Sequence, residues 1–289
     1  MPRAARVLLT GLAFLFFAAG GAFLSWVVLP LSVAAHRDRL GQRRRSQDVL
    51  HRWGYRAFAR AMHALGLIDF IPPKIAPASS AFVLVANHPT LIDVMLLLAT
   101  FPRAACLVKS SWFGSPLIGP LLRHGGNIAG PSADEPDDEG GPGRAVVLER
   151  IVACLREGTP VLIFPEGTRS PPGGLGRFKR GAAEAALRAG VPLVPVVVRC
   201  DPPTLARGAP WWRVPSRRVV ITIEPLVDRT DDQPLALDAD ARAVTRALRA
   251  RYERALGLAS GNDASRGPEG SRLARTLVDP GGSGVTTRP

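Results

Sequence analysis

From Val7 to Ala35 the chain carries no charged residue. As a helix those 29 positions would extend ~43 Å, beyond the ~30 Å hydrocarbon core of a bilayer. The length predicts one tilted membrane helix, or two shorter helices that part at Gly20-Gly21 and dip into one leaflet. Pro30 near its end counts against one straight rod. The run also exceeds the ~7–15 residues of an ordinary secretory signal core. Arg3 and Arg6 precede it, whereas Arg37, Arg39, Arg43, Arg44 and Arg45 follow closely. The more basic flank stays on the cytoplasmic side. The rest of the chain is therefore expected in the cytoplasm, held at the inner membrane of the cell.

No other stretch is long and apolar enough to span a bilayer, which excludes a polytopic transporter. The 289 residues suit one α/β domain with extensions. The 37 basic and 24 acidic side chains leave a charge of +13, and only Lys74, Lys109 and Lys179 among the bases are lysines. Such a surface favours anionic partners: membrane lipids, acidic carrier proteins or nucleic acid. Nucleic acid is not expected, because no helix-turn-helix, zinc finger or RNP-like aromatic pattern accompanies the charge. Cys106, Cys154 and Cys200 stand far apart with no CxxC pair. That spacing predicts neither a disulfide framework nor a metal site, and the three read as buried thiols in a reducing compartment.

Ser46 to Leu65 predicts an amphipathic helix. Val49, Leu50, Trp53, Ala57, Phe58, Ala61, Met62 and Leu65 recur at three- and four-residue spacings, and Arg52, Arg56 and Arg60 mark another face. It is either a helix on an anionic membrane surface or a domain helix with a solvated basic face. Beyond it, short apolar runs alternate with helical spacings. Strands are expected at Ala81–Ala86, Ala105–Val108, Val161–Phe164, Val191–Val198 and Val219–Ile223. Helices are expected at Leu91–Ala99, Ser115–Arg123, Ala145–Arg156, Gly181–Arg188 and from an Asp238 or Asp240 cap to Leu256, stopped by Gly257. This alternation predicts an α/β sandwich around a mixed, largely parallel sheet. Pro131 to Gly143 is acidic and Pro/Gly-rich, and reads as a loop. The expected organisation is an anchor over 1–36, a basic membrane-surface helix over 37–70, a folded body over 71–258 and a disordered tail over 259–289.

Two clusters carry chemistry. In Asn87-His88-Pro89-Thr90-Leu91-Ile92-Asp93 a histidine ends an apolar strand, and Pro89 suits the first position of a helix. Asp93, about one turn in, can reach back to the imidazole, fix its tautomer and leave the other nitrogen as a base. No Gly-x-Ser-x-Gly elbow supplies a nucleophile, so the substrate's own hydroxyl is expected to attack. In Phe164-Pro165-Glu166-Gly167-Thr168-Arg169-Ser170, again after a strand, a glycine frees the backbone and an arginine can fork onto phosphate or carboxylate.

Together these blocks resemble the 1-acyl-sn-glycerol-3-phosphate acyltransferases and the broader lysophospholipid acyltransferase family. Lys109 with Pro116 and Gly119, Phe178-Lys179-x-Gly181, and Val191-Pro192-Leu193-Val194-Pro195-Val196 are similar to the family's other elements, in the same order, over roughly residues 80–200. The resemblance implies the glycerolipid acyltransferase sandwich over the body. It also implies acyl transfer from acyl-CoA or acyl carrier protein to a lysolipid hydroxyl, with no metal or redox cofactor. By that resemblance His88 is the general base and Asp93 its partner, while Glu166, Gly167, Thr168 and Arg169 hold the acceptor's polar end. Asn87, Thr90, Lys109 and Lys179 are candidate substrate contacts. One departure stands out. Where members that use lysophosphatidate carry an arginine, this chain reads Gly126-Asn127-Ile128-Ala129-Gly130-Pro131, and the next arginine is Arg144, past an acidic stretch. The acceptor is then lysophosphatidate or another hydroxylated lipid, such as an ornithine lipid, a glycolipid or a pigment lipid. A thioester hydrolase built on the same dyad is the rival reading.

Overall fold

A computed structural model describes residues 1–34, 38–73, 81–131, 142–226 and 240–258. The expected tail at 259–289 and most of the acidic stretch lie outside the described residues. Among the described residues seven strands form one sheet: β1 (Ile68–Ile71), β2 (Val83–Ala86), β3 (Ala105–Val108), β4 (Ile128–Ala129), β5 (Val161–Ile163), β6 (Leu193–Asp201) and β7 (Val219–Pro225). Their order is β1-β7-β6-β2-β5-β3-β4. All neighbours run parallel except β6 and β7. The sheet is therefore mixed and largely parallel, as the alternation predicts. β1 and the two-residue β4 were not foreseen, being too short for periodicity to register.

Both faces of the sheet are covered. Successive residues of β2 alternate between two cores, Leu84 and Ala86 facing one and Val83 and Val85 the other. All four are fully buried, which is why the segment reads as a continuous apolar run. The second core is closed by α7 (Pro142–Arg156), α8 (Gly181–Ala189) and α9 (Ala241–Leu256). α7 already begins at Pro142, inside the stretch expected to be a loop. Asp240 caps α9 through the Ala243 N–H at 2.7 Å, and Gly257, with φ of 68°, ends it. The Tyr252 hydroxyl on α9 reaches the Val85 and Val196 carbonyls at 2.8 Å, tying that layer to β2 and β6.

The first core is closed by the N-terminal helices. α1 (Arg3–Phe23) passes through a π-helical turn, Leu24–Val28, into α2 (Leu29–Val33). The helix does not part at Gly20-Gly21. The wide turn comes just before Pro30, which has no N–H to offer the preceding turn. Arg3–Ser32 is long and apolar enough, by length and composition, to cross a membrane. α3 (Arg39–Val49) runs through a second π-turn, Leu50–Tyr55, into α4 (Arg56–Ala64), and Phe17 on α1 meets Phe58 on α4 edge-to-face at 5.3 Å. That π-turn corrects the predicted face. Val49, Leu50, Phe58 and Met62 are buried as the spacing predicts, Ser46, Gln47, Tyr55 and Ala59 join them, and the extra residue turns Trp53 outward beside Arg52 and Arg56. These helices share the core with α5 (Asp93–Thr100). The segments expected as an anchor and a surface helix thus form a layer of the same sandwich.

Candidate active site

The parallel run β6-β2-β5-β3-β4 sends five strand ends to one edge of the sheet. Open α/β sheets place their ligand sites at this carboxyl edge. β2 leads directly into Asn87 and His88, and its neighbour β5 leads into Phe164 through Arg169. β3 ends at Lys109, which is exposed two strands from β2. Residues about 78 positions apart are thereby neighbours.

His88 Nδ1 lies 2.8 Å from Asp93 Oδ1 and 2.9 Å from Oδ2. Phe164 stacks on the imidazole with ring centroids 4.1 Å apart. Asp93 is fully buried, and its Oδ2 also accepts from the Thr90 N–H at 3.1 Å. Burial pushes the Asp93 carboxyl up, and His88 with the Thr90 and Val94 N–H groups pulls it back. Helix α5 starts at Asp93 itself, not at Pro89, so the carboxylate sits in the first turn, where the helix dipole favours an anion. With Nδ1 donating to Asp93, the second nitrogen Nε2 is left as an acceptor, and no described residue bonds to it. A ring oriented in this way can take a proton from a hydroxyl placed beside it.

The second turn is locked to the first through Glu166. Its Oε1 accepts from the Ser170 hydroxyl at 2.6 Å and from the His88 backbone N–H at 3.3 Å, and Oε2 accepts from the Gly176 N–H at 2.6 Å. Ser170 in turn donates its N–H to the His88 carbonyl at 2.8 Å, and its hydroxyl accepts from the His88 N–H at 3.2 Å. A Cβ on Gly176 would stand 2.9 Å from Oε2, so any larger residue there would shift the Glu166 carboxylate. Glu166, expected to hold the acceptor, instead points inward and positions the backbone of His88. A buried carboxylate needs every available donor, and these three are supplied by turns.

Asn87 departs from expectation in the same way. Its amide donates to the Val198 carbonyl at 2.9 Å and accepts from the Val198 N–H at 2.8 Å, extending the pairing of β2 with β6. Thr90 is fully buried, and its Oγ1 has no hydrogen-bond partner among the described residues. Gly167 takes φ of 68°, with the Lys179 Cε 3.3 Å from where its Cβ would stand, so Lys179 lies against the turn. Thr168 is exposed there. Arg169 donates through Nη1 to the carbonyls of Leu205 (2.8 Å) and Ala206 (3.1 Å), in the β6–β7 connection. Ser170, Phe164 and Gly176 are site residues to which the sequence assigns no role, although the first two are the end residues of the quoted block. Leu205 and Ala206 left no signal at all.

Burial raises the Cys106 thiol to about 12 and the Cys200 thiol to about 11. Neither forms appreciable thiolate at neutral pH, so neither is suited to carry the acyl group.

Residues 68–199 match the acyltransferase family. A chloroplastic 1-acyl-sn-glycerol-3-phosphate acyltransferase of Arabidopsis thaliana is 31% identical over 131 residues, covering 45% of this chain and 34% of that one. The 1-acyl-sn-glycerol-3-phosphate acyltransferase alpha of Mus musculus is 27% identical over 205 residues, covering 69% of this chain and 68% of its own. The chain spans about a third of the length of the first curated relatives it matches. In fold it is similar to the crystal structure of the 1-acyl-sn-glycerophosphate acyltransferase PlsC of Thermotoga maritima. There the TM-score is 0.64 at 22% identity, over 89% of this chain and 98% of the other.

Proposed function

Because residues 68–199 match the acyltransferase family, we propose that the chain transfers a fatty acyl group from a thioester to a lysolipid hydroxyl. The acceptor we favour is 1-acyl-sn-glycerol-3-phosphate, giving phosphatidic acid for phospholipid synthesis. The matched relatives carry that name, and the His88–Asp93 pair adjoins the Glu166–Arg169 turn at one sheet edge. The observation that carries the reading is the imidazole held by buried Asp93 at Nδ1, with Nε2 free to act. Nε2 takes the proton as the acceptor oxygen attacks the thioester carbonyl. The C–S bond then breaks, and the proton returns to the departing thiolate. General-base help of this kind is worth ~10²–10⁴ in rate. Arg169, Thr168 and Lys179 line the acceptor's polar end, and Lys109 stands farther along the same edge. The reaction is a direct displacement and calls for no metal or redox cofactor. The donor is acyl-CoA or acyl carrier protein, both acidic partners for an arginine-rich surface. The long apolar helix and its arginine-rich downstream flank support a site at the inner membrane, facing the cytoplasm.

A second acceptor class is favoured by one observation. Gly130-Pro131 stands where an arginine is expected, and Arg144 sits in the first turn of α7. The test is purified full-length chain in detergent with a thioester donor and separate acceptors: lysophosphatidic acid, lysophosphatidylcholine, lyso-ornithine lipid and none. Products are read by mass spectrometry beside His88→Ala. His88-dependent phosphatidic acid is the expected product. Acylation of another acceptor alone would transfer the function to that lipid, and free fatty acid alone would make the protein a thioester hydrolase.

A further inference from the structure

All five tryptophans of the chain are at least 44% exposed. Tryptophan is highly buried on average in water-soluble domains, and its apolar ring with one N–H suits the boundary of a bilayer. Trp26 and Trp53 lie on the N-terminal helices, where a membrane contact is unsurprising. Trp211 and Trp212 do not. They belong to the connection between β6 and β7, residues 202–218, on the sheet's carboxyl edge.

That connection has two engaged ends. At one, the Trp211 ring lies against Gly11 of α1, 3.4 Å from where a Cβ would stand. It also meets Phe14 edge-to-face at 6.2 Å, and Trp212 follows at 5.9 Å. Leu8, Leu12 and Leu15 are exposed on the same stretch of α1, so two distant parts of the chain build one apolar surface. Arg207 and Arg213, both exposed, flank the tryptophans with no acidic partner among the described residues. At the other end, the Leu205 and Ala206 carbonyls hold Arg169. Leu205 is buried with φ of 49°, a left-handed conformation that is unfavourable outside glycine and persists where the surroundings enforce it.

We propose that residues 202–218 are a second membrane contact, separate from the N-terminal helix. The Trp211-Trp212 tip seats in the interface of an anionic bilayer beside α1, and the Leu205 and Ala206 carbonyls fix Arg169 where a lipid's polar end arrives. An anionic lipid surface is the fitting partner, because the patch continues the apolar face of α1 and is rimmed by unneutralised arginines. The role of Arg169 in this proposal rests on the acyltransfer reading above. The membrane contact does not.

The first test needs no catalysis. Full-length chain is reconstituted into phosphatidylcholine–phosphatidylglycerol vesicles with or without bromine on the acyl chains. The emission contributed by Trp212 is the difference between the native chain and Trp212→Phe. We expect that difference spectrum to be blue-shifted and quenched by the brominated lipid. An unquenched, water-like spectrum would overturn the contact, whatever the chain's activity. The second test compares one acceptor, the best in the panel above, in vesicles and as detergent-dispersed monomers. Trp211→Ala with Trp212→Ala should lower the vesicle rate by about tenfold, corresponding to about 1.4 kcal/mol of interfacial binding, and leave the monomer rate within about twofold. Equal losses in both presentations would make the pair a packing element and overturn the proposal. Should the double variant not fold, Arg207→Ser with Arg213→Ser keeps the ring packing, and it should weaken the vesicle rate only when phosphatidylglycerol is present.

Discussion

The carboxyl edge of the sheet and the N-terminal helical layer are held by different forces. At the edge, a 2.6–3.3 Å mesh from Glu166 and Ser170 fastens the His88 turn to the next strand's turn. In the helical layer the fastening is apolar, through Phe17, Phe58, Met62 and Leu50, with the opposite face left exposed. Directional bonds fix an atom's position to a fraction of an ångström, as proton transfer requires. Apolar packing fixes a layer against the sheet but tolerates adjustment, as contact with a lipid surface requires.

Substitutions separate the two. The largest effect is expected from His88→Ala, with turnover falling by at least ~10² in correctly folded protein; near-normal turnover would remove the dyad from the mechanism. Asp93→Asn should cost activity to a lesser or equal degree while raising thermal stability at neutral pH. An acid whose pKa is raised on folding stabilises the fold fully below its ordinary value of 3.8 and loses that contribution as pH climbs through the raised value. The neutral isostere therefore gains a few degrees in Tm at neutral pH, an advantage that fades in acid and is read by calorimetry across pH. Glu166→Gln turns an amide against the Gly176 N–H. It should lower kcat about tenfold, the loss of a ~1.4 kcal/mol charge-assisted bond, with KM for the acceptor within about twofold. A rise in KM alone would return Glu166 to acceptor binding.

In the other region, Phe58→Ala should remove about 3–5 kcal/mol of stability yet leave turnover of the remaining folded protein on a detergent-dispersed acceptor within about twofold. A loss of turnover beyond the loss of folded protein would mean that the helical layer shapes the site as well as supporting it. The smallest effect belongs to Cys200→Ser, with rates within about twofold, since burial keeps that thiol protonated.

Legibility followed the distance over which each feature is decided. The strands at Ala105–Val108 and Val161–Ile163 and the helix from Asp240's cap to Gly257 could be read because propensity and capping act within a few residues. The His88–Asp93 pair was equally local, five residues apart along the chain. The outward turn of Trp53 was not legible, because a 3.6-residue period carries no mark of the π-turn at Leu50–Tyr55.

The sequence by itself determined a long uncharged helix, an arginine-rich surface, an α/β alternation and two strand-end turns rich in reactive side chains. Each of these depends on the type and spacing of nearby residues. The tertiary structure alone decided that β2 and β5 are neighbours, that Glu166 and Asn87 serve backbone groups, and that Leu205 and Ala206 hold Arg169. The bonds to His88, Val198, Leu205 and Ala206 join segments 36 to 111 residues apart. No local pattern encodes them, because a buried polar group takes the partners that the folded chain brings within reach.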